Sequence, residues 1–367
     1  MPNVAIVGSA SWGTALGIML ARKGVHVKLW ARTEEEAKQL NKQKENNTYL
    51  PGFRFPSRLK VTGALEEAMK KADAIILAVP AQRMRENARH VAEHLTESML
   101  VVSAAKGIEV DTGKRMSEVV REELNGSFRS NICVLSGPNI AQEAANGMQS
   151  VAVVAARDLT VAQKAQHLLM TKSFCLFPST DMVGVELGGA LKNVVALGAG
   201  MADGLGCGDN AKAAFITRGL AEITSFGRAM RADPLTFAGL ACLGDILCTC
   251  YSPFSRNRYV GEELAKGRRL EDIVNSMPHT AEGVTTVLAI HKVAQRMGVD
   301  MPITERLNEV MYEDLSVKDA VAKLIAPPKE AELARIKEKP RRVPQLSERK
   351  WRALSLGLQP RVGSVPT

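Results

Sequence analysis

One amine stands alone in an apolar run. Between Glu186 and Asp203 the only charged residue is Lys192, and its neighbours are small or apolar. A pattern apolar on all sides predicts a helix buried on most faces. A lysine is rarely buried without a partner. Burial favours the neutral amine and lowers its pKa, which suits it to donate and accept protons. The competing reading is a stem packed along the core with its head in solvent. Gly188 and Gly189 lie three and four residues before Lys192, on its own helical face. Each glycine costs about 1 kcal/mol relative to Ala in a helix interior, so the pair predicts room there for something other than protein. The run is read as too short to span a bilayer, which takes roughly 20 apolar residues.

Four other groups have the chemistry to join that amine. Asp245 is the only charge between Asp233 and Arg256. A carboxylate in such surroundings needs a partner; Lys192 is one candidate, and helix capping after Gly244 is the rival. Ser255, Arg256, Asn257 and Arg258 offer guanidinium forks and an amide to a phosphate; surface salt bridges would use the same residues. Lys106 follows an apolar run, where it can reach a bound anion or simply face solvent. Residues 137–143 read as a turn entering a helix, with free backbone N–H groups.

These residues need a scaffold. Residues 4–7 form a short apolar run, Gly8 to Gly13 a turn, 14–23 a helical stretch that Gly24 ends, and 25–30 a strand of period two. This strand–turn–helix–strand order is what a dinucleotide fingerprint requires. Gly8 and Gly13 hold the first and third glycine positions, but Ala10 holds the middle one, where its methyl would push a pyrophosphate outward. The helix start at Ser11, Trp12 and Gly13 would present N–H donors to phosphate. The second strand ends at Arg32 rather than an acid, which suits a 2′-phosphate; of NAD and NADP, NADP is expected to be tolerated, with a lean toward a preference for it that the sequence does not decide. A solvent-facing Arg32 is the alternative.

Further strands are expected at 74–79, 100–103, 132–135 and 151–155, with helices at 66–71 and 83–95. Residues 174–181 are expected to carry the chain out of the sheet. From 184 to about 324 only helical periodicity remains. The expected fold is therefore α/β followed by all-α: a Rossmann-like doubly wound sheet over 1–180, then a helical substrate and dimerisation domain over 181–326. Residues 327–367 are charged and broken by proline, and are expected to form a basic, disordered tail.

With 367 residues, 46% of them hydrophobic, the chain can build two cores. Its net charge is +9, but from Lys329 onward ten basic residues stand against four acidic ones. The body is nearly balanced, so no nucleic-acid face is indicated. No basic stretch leads into an apolar N-terminal segment, so a cytoplasmic protein is expected, without an integral membrane segment. Six cysteines show no Cys-x-x-Cys pair and no companion ligands at metal spacing; reduced thiols and no metal are expected.

Taken in order, Gly8…Trp12-Gly13, residues 105–108, 136–139, 188–193, Gly244-Asp245 and 255–257 resemble the bacterial-type NAD(P)-dependent glycerol-3-phosphate dehydrogenases. The resemblance runs from Val4 to about Leu324. It implies reversible reduction of dihydroxyacetone phosphate to sn-glycerol 3-phosphate for phospholipid synthesis, by a homodimer that needs no metal. It implies that Lys192 is the catalytic acid/base, with Asp245 beside it. Gly8, Ser11, Trp12, Gly13, Arg32, Ala141, Arg256 and Glu282 would contact the cofactor, and Lys106 both cofactor and substrate. Gly137 and Asn139 would lie in a substrate loop, and Ser255, Arg256 and Asn257 would hold the substrate phosphate. Two departures stand out: Ala10, and the tail beyond Pro328. Two rival readings are a different hydroxyacid or ketoacid reductase on the same plan, and an inactive cofactor-binding protein that uses its basic tail.

Overall fold

The computed structural model describes residues 1–124, 126–277 and 280–325, apart from the side chains of residues 126, 127 and 325. The expected tail, 327–367, lies outside the described residues.

The first half builds an eight-stranded sheet: β1 (Asn3–Val7), β2 (His26–Trp30), β3 (Leu59–Thr62), β4 (Ala74–Leu77), β5 (Leu100–Ser103), β6 (Ile132–Ser136), β7 (Ser150–Ala156) and β8 (Phe174–Ser179). Their order across the sheet is β8-β7-β6-β5-β4-β1-β2-β3. The first six strands run parallel. β7 pairs antiparallel with β6 and parallel with β8. β4, β5 and β6 are buried along their whole length, as strands covered on both faces must be, which is why they read as unbroken apolar runs. Between β1 and β4 the winding of the sheet reverses direction. At such a switch point, ligands bind beyond the carboxyl ends of the strands.

Two strands differ from expectation. Residues 174–179 do not leave the sheet but form its edge strand β8. Phe174 and Leu176 point inward while Cys175 and Phe177 are exposed, so apolar residues on the outer face hide the alternation. β3 is the opposite edge, only four residues long, and has no sequence signal of its own. A small antiparallel ribbon, Glu45–Asn46 with Leu50–Arg54, braces the glycine-rich turn. Buried Asn46 donates to the Ser9 carbonyl at 2.7 Å and to Thr14 Oγ1 at 2.9 Å.

From Met182 onward the described elements are helical. The helix Met182–Gly204 is the axis of this half. Asp181 caps it, accepting from Gly184 N at 2.9 Å, and nearly every residue from Met182 to Ala202 is buried. At 23 residues it is long enough to cross a bilayer, contrary to the length argument from sequence; it is instead a core helix, with 94% of its apolar window buried inside the protein. Its glycines admit protein rather than a ligand, which corrects the sequence expectation. A Cβ on Gly188 would stand 2.8 Å from the Ala241 carbonyl oxygen, and one on Gly189 would stand 2.3 Å from Ser136 Oγ. On another face Gly200 meets the Arg258 carbonyl, and Gly261 of the crossing helix Arg256–Ala265 meets that of Leu197. The axis is thus pressed against the sheet on one side and its partner helices on the others, which fixes Lys192 at the junction.

Candidate active site

The carboxyl ends of β1, β4, β5 and β6 face the helical half across a cleft of about 290 Å³. Gly8 follows β1 with φ +115°, a backbone that L side chains rarely adopt, and a Cβ there would lie 2.4 Å from the Ala78 carbonyl oxygen. A Cβ on Gly13 would lie 1.9 Å from the Gly8 carbonyl oxygen. Both glycines are required by close backbone approach. Ala10 is not strained: with φ −74° and ψ −178° it is extended. It precedes the helix Ser11–Lys23 and supplies no side-chain cap, so the first N–H groups of that helix keep their donor capacity for an anion. Ser11 donates to the Tyr49 carbonyl at 2.7 Å, and the Trp12 ring meets Phe174 edge-on at 6.2 Å.

Three charged side chains from distant parts of the chain meet at the cleft floor. Asp245, 1% exposed, opens the helix Asp245–Tyr251 after a π turn at Leu240–Gly244. Gly244, not Asp245, holds the cap position, and the carboxylate turns inward. Its Oδ1 stands 3.1 Å from Lys192 Nζ and its Oδ2 2.5 Å from Lys106 Nζ. Lys192 also donates to Thr249 Oγ1 at 2.6 Å, and Thr249 donates to Asp245 Oδ1 at 3.2 Å. Lys106, reaching in from just beyond β5, also donates to the Gly137 carbonyl at 2.7 Å. Burial pulls the Lys106 ammonium below the usual lysine range; the Asp245 charge opposes that pull and the Lys192 charge adds to it. Two ammonium groups on one carboxylate leave an uncompensated positive charge. Taking an ion out of water costs several kcal/mol even after relaxation, so the cluster is poised to accept an anionic oxygen.

The walls come from both halves. Ser255 caps the helix Arg256–Ala265, accepting from Arg258 N at 3.2 Å. Arg256, its first residue, is exposed at the rim. Arg258 does not join it; its guanidinium turns away to Asp203 at 2.6 Å. Asn257 is buried as a brace: Nδ2 donates to Asn193 Oδ1 at 2.8 Å, and Oδ1 accepts from Gly283 N at 2.9 Å. Glu282 Oε1 accepts from Ala81 N at 3.1 Å, tying the helix Glu282–Met297 to the loop after β4. Burial pushes the Glu282 carboxyl up to about 7, against the Ala81 N–H and the Arg256 charge. Among the described residues, Glu282 Oε2 and Asn139 Oδ1 are buried without a hydrogen-bond partner. Such acceptors fit a group with hydroxyl or amide donors, as a nicotinamide dinucleotide has.

Of the residues singled out from sequence, Ser11, Trp12, Lys106, Asn139, Ala141, Lys192, Arg256, Asn257, Ser255 and Glu282 line this cleft. Gly8 and Gly13 shape its turn. Gly137 stands behind it, its added Cβ only 2.7 Å from the Ala152 Cα. Asp245 lies beneath the floor. Arg32 is apart, exposed past the end of β2. Sequence reasoning missed Thr249, Asn193 and Cys248. Thr249 sits four residues after Asp245, a spacing that puts both on one helical face and was available as a signal; Cys248 had none.

Two family models match. The description "NAD-dependent glycerol-3-phosphate dehydrogenase N-terminus" covers residues 3–162, and the corresponding C-terminus covers 181–322. A curated glycerol-3-phosphate dehydrogenase (NAD(P)+) from Dehalococcoides mccartyi is 50% identical over 335 residues, 91% of this chain and 93% of that protein. One from Prosthecochloris aestuarii is 45% identical, covering 88% and 97%. The crystal structure of glycerol-3-phosphate dehydrogenase from Coxiella burnetii superposes with a TM-score of 0.84 at 31% identity, covering 89% of this chain and 99% of that one. By sequence match and by fold, the chain belongs to the NAD-dependent glycerol-3-phosphate dehydrogenase family.

Proposed function

We propose that this chain catalyses the reversible reduction of dihydroxyacetone phosphate to sn-glycerol 3-phosphate with NADH or NADPH, supplying glycerophospholipid synthesis. The observation that carries this reading is the pair of lysines on one buried carboxylate at the cleft floor, with Arg256 at the rim. The cofactor, when bound, supplies the hydride that reaches the ketone carbon. Lys192, as ammonium, stabilises the charge growing on the ketone oxygen and gives it a proton, so that C=O becomes CH–OH. Asp245 and Thr249 hold that nitrogen in place, so little reorganisation is needed during reaction. Lys106 adds a second positive charge. Arg256, with Ser255 and Asn257 beside it, holds the phosphate and so positions the carbonyl. Ser11, Trp12, Gly8, Gly13, Ala141, Arg32 and Glu282 serve the cofactor, and Gly137 and Asn139 border the substrate.

The same reading includes a homodimer in the cytoplasm, as the family resemblance implies; sedimentation of the purified chain tests the dimer. The reaction is tested by following oxidation of each reduced cofactor with dihydroxyacetone phosphate and with a panel of other ketones. Lys192→Ala should lower turnover by about 10²- to 10⁴-fold while cofactor binding persists. Near-normal turnover in that variant would remove the lysine from the mechanism, and a preference for another ketone would redirect the substrate assignment.

A further inference from the structure

We infer that Glu36 helps set which nicotinamide cofactor this chain prefers, favouring the free ribose 2′-hydroxyl of NADH over the 2′-phosphate of NADPH. The inference rests on the cofactor reading above and sharpens it. The helix Glu34–Gln43 begins just after β2, and Thr33 caps it by accepting from Glu36 N at 3.1 Å. In a capping box of this spacing, the glutamate would reach back to the N–H of the cap residue itself. Glu36 goes elsewhere. Its Oε2 accepts from Arg32 N at 3.2 Å, and its Oε1 accepts from Ser9 Oγ at 2.7 Å. Ser9 is buried within the glycine-rich turn.

One carboxylate therefore bridges the turn after β1 and the end of β2. In a dinucleotide-binding fold this is where an acid takes the ribose 2′-hydroxyl. Sequence position hid it, because Glu36 lies four residues past Arg32 and only the fold of the helix brings it back. A hydroxyl can donate to this carboxylate, whereas a 2′-phosphate would meet a like charge. Arg32, exposed beside it, pulls the other way. The two residues form an opposed pair, and the net preference is a difference between their effects.

The test is calorimetric titration of the whole chain with NADH and with NADPH, without substrate. Glu36→Gln keeps the side chain's length and removes the charge; its amide oxygen can still accept from Arg32 N, and its NH2 can donate to Ser9 Oγ, reversing that bond. It should shift the NADH/NADPH affinity ratio toward NADPH by about five- to tenfold, the scale of one exposed unit-charge interaction, with Tm unchanged. Glu36→Asp, which keeps the charge, should stay nearer the wild-type ratio. An unchanged ratio in Glu36→Gln would overturn the inference. So would equal weakening of both cofactors with a fall in Tm, which would make Glu36 only a brace for the turn. Failure of the wild-type chain to bind either cofactor is a separate result, and it would overturn the cofactor reading itself.

Discussion

Lys106 and Lys192 reach the same carboxylate from opposite halves of the chain, one from beyond β5 and the other from the axis helix. Asp245 is what allows two ammonium groups to stand together out of water. Asp245→Asn removes that compensation and leaves the lysines to repel each other. Lys106, already lowered by burial, would fall further. The Lys106 charge supports reduction, so losing its proton at lower pH moves the alkaline fall in kcat to lower pH. The variant should lose about 10²-fold or more in kcat and show its alkaline limb displaced toward acid. A pH profile whose limbs match the wild type would disconnect Asp245 from the protonation of Lys106.

The Glu282 carboxyl gives a second pH dependence, of opposite origin. Its folded-state pKa stands near 7 against an ordinary 4.5. Between those values the folded state holds a proton that the unfolded chain has released. Stability should therefore fall as pH rises from about 4.5 through 7. Glu282→Gln cannot titrate and should lose that slope. Thermal unfolding of the two proteins without cofactor, from pH 5 to 8, compares the slopes directly; parallel Tm curves would mean that Glu282 does not titrate in this window.

Two glycines beside the site should respond differently to the same methyl group. Gly189→Ala would place a Cβ 2.3 Å from Ser136 Oγ and 3.5 Å from Lys106 Cγ. The Ser136 hydroxyl would have to turn aside, and its Cβ, 3.3 Å from the new methyl, would press the axis helix away from β6, at a cost of about 1 kcal/mol or more and with a shift of Lys106. Gly244→Ala meets nothing nearer than 3.8 Å and has helical backbone angles. It should fold and turn over substrate normally. Tm and kcat measured on both variants check the contrast; equal tolerance would mean that the helix–sheet contact is looser than these distances.

Much of this could be read in the sequence because its signals were local. β4, β5 and β6 are buried on both faces, so they appear as plain apolar runs. Lys192 and Asp245 stood out because each is the lone charge in apolar surroundings, and the structure pairs them at 3.1 Å. Lys106 had no such contrast, and its bond to Asp245 spans 139 positions, beyond any periodicity. Gly188 and Gly189 were legible as small but not as to what fills the gap, because the Ala241 carbonyl and Ser136 arrive from remote segments. Glu36 drew no reading from sequence, because only the meeting of two βα units makes it a neighbour of Ser9.

Arg256 offers the sharpest separation of substrate binding from chemistry. Arg256 stands at the rim of the cleft, on a helix fixed by the Ser255 cap and the Asn257 brace. A charge-assisted bond to phosphate contributes about 1.5–3 kcal/mol, so Arg256→Ala should raise KM for dihydroxyacetone phosphate by roughly 10- to 150-fold, with a smaller change in kcat. Arg256→Lys should recover part of the loss, since an ammonium keeps the charge but not the fork. The control is the substrate itself. Dihydroxyacetone lacks the phosphate, so wild type and Arg256→Ala should reduce it with nearly equal, low efficiency. If the variant carries the same penalty with both ketones, Arg256 acts on the carbonyl or on the shape of the cleft, and the phosphate must be held elsewhere.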